Sequence, residues 1–178
     1  AVQLNALRVL SSLVDDGAGQ SAVCAAGAAA PLVALTDAAG PEGIQREAIS
    51  ILCRLTDQAL ELRLLVSAGV VPPLVKQLRL GDVNAQEAAA GALCQITSAP
   101  REAGGQRAIV SASGLGPLVS LVRNAPTFTV QAHAMHALCT LARCSDTNRA
   151  VAAEPDAIAA CVFVLGQPTS DAEMRAAA

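Results

Sequence analysis

Three segments of one kind recur along the chain: Gly27-Ala-Ala-Ala-Pro31-Leu32-Val33, Gly69-Val-Val-Pro-Pro73-Leu74-Val75 and Gly114-Leu-Gly-Pro117-Leu118-Val119. Their prolines, Pro31, Pro73 and Pro117, stand 42 and 44 residues apart. A second anchor, Leu-x-x-Leu/Ile, closes an apolar stretch each time: Leu10 to Leu13, Leu52 to Leu55, Leu93 to Ile96 and Leu138 to Leu141, in steps of 42, 41 and 45. A third and weaker anchor sets Arg63, Arg107 and Arg149 six or seven residues ahead of Gly69, Gly114 and Pro155. A period of this size confines the chain to a stack of like units, because one unit of about forty residues buries its apolar face only on a neighbour.

Each unit divides into three helical pieces separated by turn chemistry. A short first helix, Ala59–Ser67 in one unit, stops at Ala68-Gly69, where glycine takes the left-handed position after a helix end. The second helix, as in Pro73–Leu80, opens on proline, whose missing N–H costs nothing in a first turn. Polar breakers follow at 37–43, Gly81-Asp82, Asn124–Thr127 and Gln167–Asp171. The third helix is the longest, as in Asn84–Thr97 and Val130–Arg143, with Ala134, Ala137, Leu138 and Leu141 on one face. The loop Ser98–Gly105 is the longest connection and accounts for the stretched spacing.

These features resemble the armadillo repeat. The likeness rests on Ala68-Gly69-Val-Val-Pro-Pro73-Leu74-Val75 at the first junction and on Glu87-Ala-Ala-Ala-Gly91-Ala92-Leu93-Cys94-Gln95-Ile96 in the third helix, and it extends over essentially the whole chain. The HEAT repeat, with two helices per unit, is the nearest competitor; three turn signals per period favour armadillo. The expected fold is all-α, a right-handed superhelical α-solenoid with three helices per repeat. Residues 17–58, 59–98 and 99–144 read as complete repeats, 1–16 as the end of a preceding one and 145–178 as an incomplete following one. Neither end carries the polar face of a terminal repeat, and Met174–Ala178 falls where a third helix would begin, so the chain reads as an internal slice of a longer array.

Composition agrees with helix-on-helix packing. Aromatic residues make up 1% of the 178 and hydrophobic ones 53%, so the core is built from alanine and branched aliphatics, a poor set for a β-sandwich or barrel. Net charge is −3 with scattered basic residues, which offers no stripe to nucleic acid or anionic lipid. No apolar run reaches the length of a membrane span, and the first residues show no secretory signal pattern. The expected location is the cytoplasm, without membrane insertion.

The polar positions of the third helices are the candidate site. The residue before the last Leu/Ile is Ser12, Arg54, Gln95 or Thr140; about one turn earlier stand Arg8, Ser50, Gly91 and His136; a further turn back are Asn5, Glu47, Ala88 and His133. The three residues that one helix contributes to these columns lie on one helical stripe. The resemblance implies that the stripes line a concave groove for extended peptides or partner domains. In armadillo proteins that carry nuclear-import signals, the Arg54 column is repeatedly Asn with Trp four residues before it. This chain has no Trp, which argues against that use. The mixed charge of Arg8 and Arg54 against Glu47 suits a folded surface, a polar helix or a mildly charged extended peptide.

Other chemistry finds little support. Cys53, Cys94 and Cys139 share one repeat position and would stand about 10 Å apart in successive layers, too far for a disulfide, and read as small buried hydrophobes. Cys24 and Cys161 fall in other apolar segments and Cys144 near a loop; six unpaired cysteines fit a reducing compartment. His133-x-x-His136-x-x-Cys139 lacks nearby carboxylates and is not expected to hold a metal. No phosphate-binding glycine loop, nucleophile elbow or paired carboxylates beside a histidine occur, so neither enzymatic activity nor a cofactor is expected. Arg63, Arg107 and Arg149 are candidates to pair with loop carboxylates or cap carbonyls. The functional expectation is a non-enzymatic protein-protein interaction scaffold or adaptor within a larger complex. A second reading makes the array a structural spacer in a cytoskeletal or ciliary (axonemal) assembly, and a third an arm of a multidomain enzyme.

Overall fold

A computed structural model describes residues 2–37, 42–56, 62–100 and 104–166. Among them are twelve α-helices and no strand: α1 (Val2–Leu13), α2 (Gly17–Ala25), α3 (Ala29–Asp37), α4 (Glu42–Leu55), α5 (Leu62–Ser67), α6 (Val71–Leu80), α7 (Val83–Ser98), α8 (Gly105–Ser111), α9 (Leu115–Asn124), α10 (Phe128–Arg143), α11 (Asn148–Ala153) and α12 (Ala157–Leu165). The order short, medium, long recurs, with α1, α4, α7 and α10 as third helices. Each of the last three packs on the second helix of its own unit and on the preceding third helix: α4 on α3 and α1, α7 on α6 and α4, α10 on α9 and α7. The fold is the expected all-α solenoid.

Local chemistry sets the helix starts. The side chains of Asp16, Asp82 and Thr127 accept hydrogen bonds from the backbone N–H of Gly19, Ala85 and Val130 at 2.6, 2.9 and 3.2 Å, each satisfying a first-turn donor that has no partner inside the helix. The second helix of the middle unit begins at Val71, two residues before the expected Pro73, so both prolines lie within its first turn. Of the expected Ala59–Ser67 helix, residues 59–61 lie outside the described residues, as do 167–178, where a further third helix was expected to begin.

One expected anchor is displaced. Gly27 and Gly69 hold the left-handed conformation, at φ +74° and +85°. In the next unit that conformation belongs to Ser113 (φ 56°), not Gly114. Counting back four residues from Pro31, Pro73 and Pro117 gives Gly27, Gly69 and Ser113, so Ser113 occupies the turn position and Gly114 follows it. Gly114 is needed for space: a Cβ there would stand 2.8 Å from Ile109 Cγ2 and 3.0 Å from the Ile109 carbonyl oxygen.

The core runs through all layers. Leu52, Leu55, Leu93, Ile96, Leu138 and Leu141 are buried and form a structural column, whereas in the first instance of the anchor Leu10 is only partly covered and Leu13 is exposed. Ala48, Ala89 and Ala134, four residues before Leu52, Leu93 and Leu138, are wholly buried, where a methyl group lets the third helices approach closely.

Polar side chains brace this core, and the sequence reasoning missed them. Gln45, Gln86 and Gln131 each precede the anchor leucine by seven residues, as does Gln3. The Gln86 and Gln131 amides donate from Nε2 to the carbonyls of Leu78 and Val122, at 3.2 and 2.7 Å, near the end of the second helix in the same unit. Between units, Gln20 donates to the Val14 carbonyl at 3.1 Å, Gln106 to those of Thr97 and Ala99 at 2.7 and 3.1 Å, and the Thr147 hydroxyl to that of Leu141 at 2.6 Å. These donors fill carbonyls that a helix end leaves without partners.

Candidate functional site

On the side presented by the stacked third helices, Arg8, Ser12, Glu47, Arg54, Gly91 and His133 come together around recesses, whereas Asn5, Ser50, Gln95, His136 and Thr140 line neither of them. None of Asn5, Arg8, Ser12, Glu47, Ser50, Arg54, Gly91, Gln95, His133, His136 and Thr140 is buried; Glu47, Arg54, Gly91, His133 and Thr140 are partly covered and the rest exposed. Two recesses lie along this side. The first, about 250 Å³, is lined by Arg8, Ser11, Ser12, Asp15, Glu47 and Arg54. The second, about 450 Å³, is lined among others by Arg54, Asn84, Glu87, Gly91 and His133. Arg54 belongs to both and forms the ridge between them.

The side chains differ in how free they are. Arg54 donates from Nη1 to the Ser11 carbonyl at 2.9 Å and to the Ser11 hydroxyl at 3.2 Å, and its Nη2 pairs with the Asp15 carboxylate. It is therefore a latch between layers as well as a lining residue. The Ser12 and Thr140 hydroxyls donate back to carbonyls of their own helices, Arg8 and Val9 for the first and His136 for the second, and so have less to offer a ligand. His136 Nε2 and the Ser98 hydroxyl share a hydrogen bond of 3.3 Å across α10 and α7. His133 leans over Gly91, whose added Cβ would be 3.5 Å from His133 Cε1, and the buried Nδ1 of His133 has no hydrogen-bond partner among the described residues. Gly91 thus sets the depth of the second recess.

Sequence reasoning overlooked Ser11, Asp15, Asn84 and Glu87 on this face. They sit beside the counted columns, and only the stagger of adjacent helices draws them into the lining. The loop at 98–105 is described only in part, since 101–103 lie outside the described residues.

The cysteine expectation needs correction. Cys24, Cys53 and Cys144 are buried, Cys94 is partly covered, and Cys139 and Cys161 are exposed. Cys53 is covered because α7 packs on α4, whereas no third helix among the described residues follows α10. Burial raises the Cys94 thiol above its ordinary range, keeping it protonated and unreactive at neutral pH. Arg63, Arg107 and Arg149 are exposed and make no hydrogen bond or ion pair among the described residues; the loop carboxylates Asp57, Glu61 and Glu102 lie outside them. Among the described residues no three or more His, Cys, Asp or Glu side chains gather to hold a metal, and no single helix is long and apolar enough to cross a membrane.

Comparison with known proteins places this geometry. Residues 62–98 match the Armadillo/beta-catenin-like repeat. No curated protein matches the chain. A computationally designed armadillo repeat protein for modular peptide recognition is similar with TM-score 0.81 and 25% identity, over 97% of this chain and 75% of that one. A designed armadillo repeat protein in complex with the peptide (KR)4 is similar with TM-score 0.78 and 26% identity, over 96% and 70% of the two chains. An engineered protein is similar at 29% identity with TM-score 0.76, over 96% and 67%. Such arrays are in general non-catalytic binding scaffolds. The described helices thus form an α-solenoid of armadillo type, residues 62–98 match the repeat itself, and the architecture is that of a protein-binding scaffold.

Proposed function

We propose that the chain is a non-enzymatic adaptor whose third-helix face forms a concave groove and holds an extended segment of a partner protein. The carrying observation is the pair of open recesses sharing Arg54, lined by cationic Arg8, anionic Glu47 and Glu87, and the imidazole of His133. With Arg54 neutralised by Asp15, the side chains left to select a ligand are Arg8, Glu47, Glu87, Asn84, His133 and His136. Their alternating signs favour a segment of mixed charge over a run of one sign. A floor of Ala88, Gly91 and Ala92 accepts the aliphatic part of a ligand side chain.

The test selects linear peptides from a displayed random library on the intact chain and re-measures them on a Glu47→Lys, Gly91→Leu double variant. Neither substitution removes a member of the Arg54 latch. Selected peptides should lose binding to the variant while its helical circular dichroism is unchanged. Undiminished binding by a folded variant would remove the groove from consideration.

A further inference from the structure

We propose that Asp15 is an internal competitor for the ligand: the first recess receives one carboxylate side chain, Asp or Glu, of the partner's extended segment, and that carboxylate takes the Arg54 guanidinium from Asp15. The inference rests on the groove reading above and adds to it the chemistry of one subsite and the contact that guards it.

The two ends of the Arg54 fork are held differently. Nη1 donates to the carbonyl and the hydroxyl of Ser11, at 2.9 and 3.2 Å, and both contacts are partly covered. Tying one end of a rigid planar head to the backbone of α1 fixes where the rest of it points. Nη2 has one partner among the described residues, the Asp15 carboxylate, whose side chain is 72% exposed while that of Arg54 is 30% exposed. An ion pair with one member in open water is weak, and Asp15 is able to swing into solvent without leaving its own charge buried. The cation is therefore pre-positioned and its anion is exchangeable. A ligand laid over the recess also shields the new pair from water and salt better than the open groove shields the old one.

The lining of the recess selects the ligand group. Its cations are Arg8 and Arg54 and its anions Asp15 and Glu47, so the resting recess is balanced. The Arg8 guanidinium is exposed and has no partner among the described residues. When Asp15 withdraws, two cations face Glu47 alone, and the single positive charge left over matches one carboxylate. A phosphorylated side chain, with about two negative charges at neutral pH, would set its excess against Glu47. The openness at Arg8 is a property of the groove side: its counterpart in α4, Ser50, is exposed although α1 and α7 pack on α4 from either side.

The experiment uses the 178-residue chain. Peptides selected on it from a displayed random library, and abolished by Gly91→Leu, are remade with each Asp or Glu changed in turn to its amide. Both forms are titrated against the parent, Asp15→Asn and Arg54→Gln chains. One acidic residue should matter, its amide form binding the parent at least about fivefold more weakly, the effect of losing a charged hydrogen bond. Asp15→Asn should bind the acidic form about threefold to fivefold more tightly, the weight of an exposed ion pair, and the amide form no differently. Arg54→Gln should bind both forms alike. A mere loosening of the fold would move both forms together, so a gain confined to the acidic form separates competition from a structural effect. The parent exchanges one ion pair for another whereas Asp15→Asn adds one, so the variant's affinity for the acidic form should fall more steeply with salt. Groove peptides indifferent to every amide change, an Asp15→Asn chain that binds the acidic form no better, or a phosphoserine form that outbinds the carboxylate form would overturn the proposal and leave the groove reading standing. A library that yields no peptide sensitive to Gly91→Leu would remove both.

Discussion

The guanidinium of Arg54 spans one layer of the array to pair with the carboxylate of Asp15, while donating to the Ser11 carbonyl beside it. The two ends of this latch are unequal. The Asp15 side chain is 72% exposed, so the ion pair contributes at most about 1 kcal/mol and weakens with salt. The bond from a charged donor to the Ser11 carbonyl is partly covered and contributes about 1.5 kcal/mol or more. Arg54→Ala is expected to lower unfolding free energy by about 2 kcal/mol and Asp15→Ala by less than about 1 kcal/mol, with only the latter effect disappearing at high salt. Urea denaturation at two ionic strengths measures both; equal, salt-insensitive losses would contradict the assignment.

The left-handed turn gives opposite outcomes at equivalent positions. Gly69→Ala forces a Cβ into φ +85° and should destabilise by about 1 kcal/mol, although nothing stands within 4 Å of the added atom. Ser113→Gly removes a Cβ from that conformation and should stabilise by about 0.5 kcal/mol. Thermal unfolding of the two variants reads the signs directly.

Gly91 separates stability from binding. Alanine there makes ordinary contact with His133 at 3.5 Å and suits a helix interior better than glycine, so Gly91→Ala should raise stability by about 0.5–1 kcal/mol. Leucine fills the recess and should abolish binding of groove ligands. Calorimetry and peptide titration on the same two proteins check the pair of outcomes.

Thiol accessibility maps the layers. In dilute native protein, Cys139 and Cys161 should react with a maleimide at once, Cys24, Cys53 and Cys144 only after unfolding, and Cys94 slowly. The raised pKa of Cys94 keeps its thiolate scarce at neutral pH, so its rate should climb as the pH is raised into the alkaline range. Mass spectrometry of digested, labelled protein identifies the sites; early labelling of Cys53 would refute the packing of α7 on α4.

Gln106 makes two buried bonds, to the carbonyls of Thr97 and Ala99. Gln106→Leu leaves both acceptors without that donor and should cost about 2 kcal/mol, against about 1 kcal/mol for Gln131→Leu, which loses one bond. Denaturation midpoints compare them.

The architecture was legible because a buried position in a repeat is written several times. Leu55, Ile96 and Leu141 face the same environment in successive layers, and each reinforces the reading of the others. Repetition also misled. Cys139 has the sequence position of Cys53 but not its surroundings, because burial is supplied by the layer that follows. Gly114 was assigned to the turn by its type, whereas it serves a close approach and Ser113 makes the turn. The groove residues could be counted from helical spacing, but the partner of Arg54 could not, since Asp15 lies 39 residues away and meets it only through the stagger of α1 and α4. The glutamine column was present in the same period and went unread because glutamine on a helix surface ordinarily signals nothing.

That column has a mechanical consequence. Gln86 and Gln131 tie second helix to third, and Gln20, Gln106 and Thr147 tie the end of one third helix to the first helix of the next. Rigid joints therefore alternate within and between units, and the connecting loops are relieved of carrying load. Where these ties follow one another, as from Gln86 through Gln106 to Gln131, bending imposed on one joint by a bound ligand should load the next, so that stretch should flex as an elastic strip rather than as beads on a string.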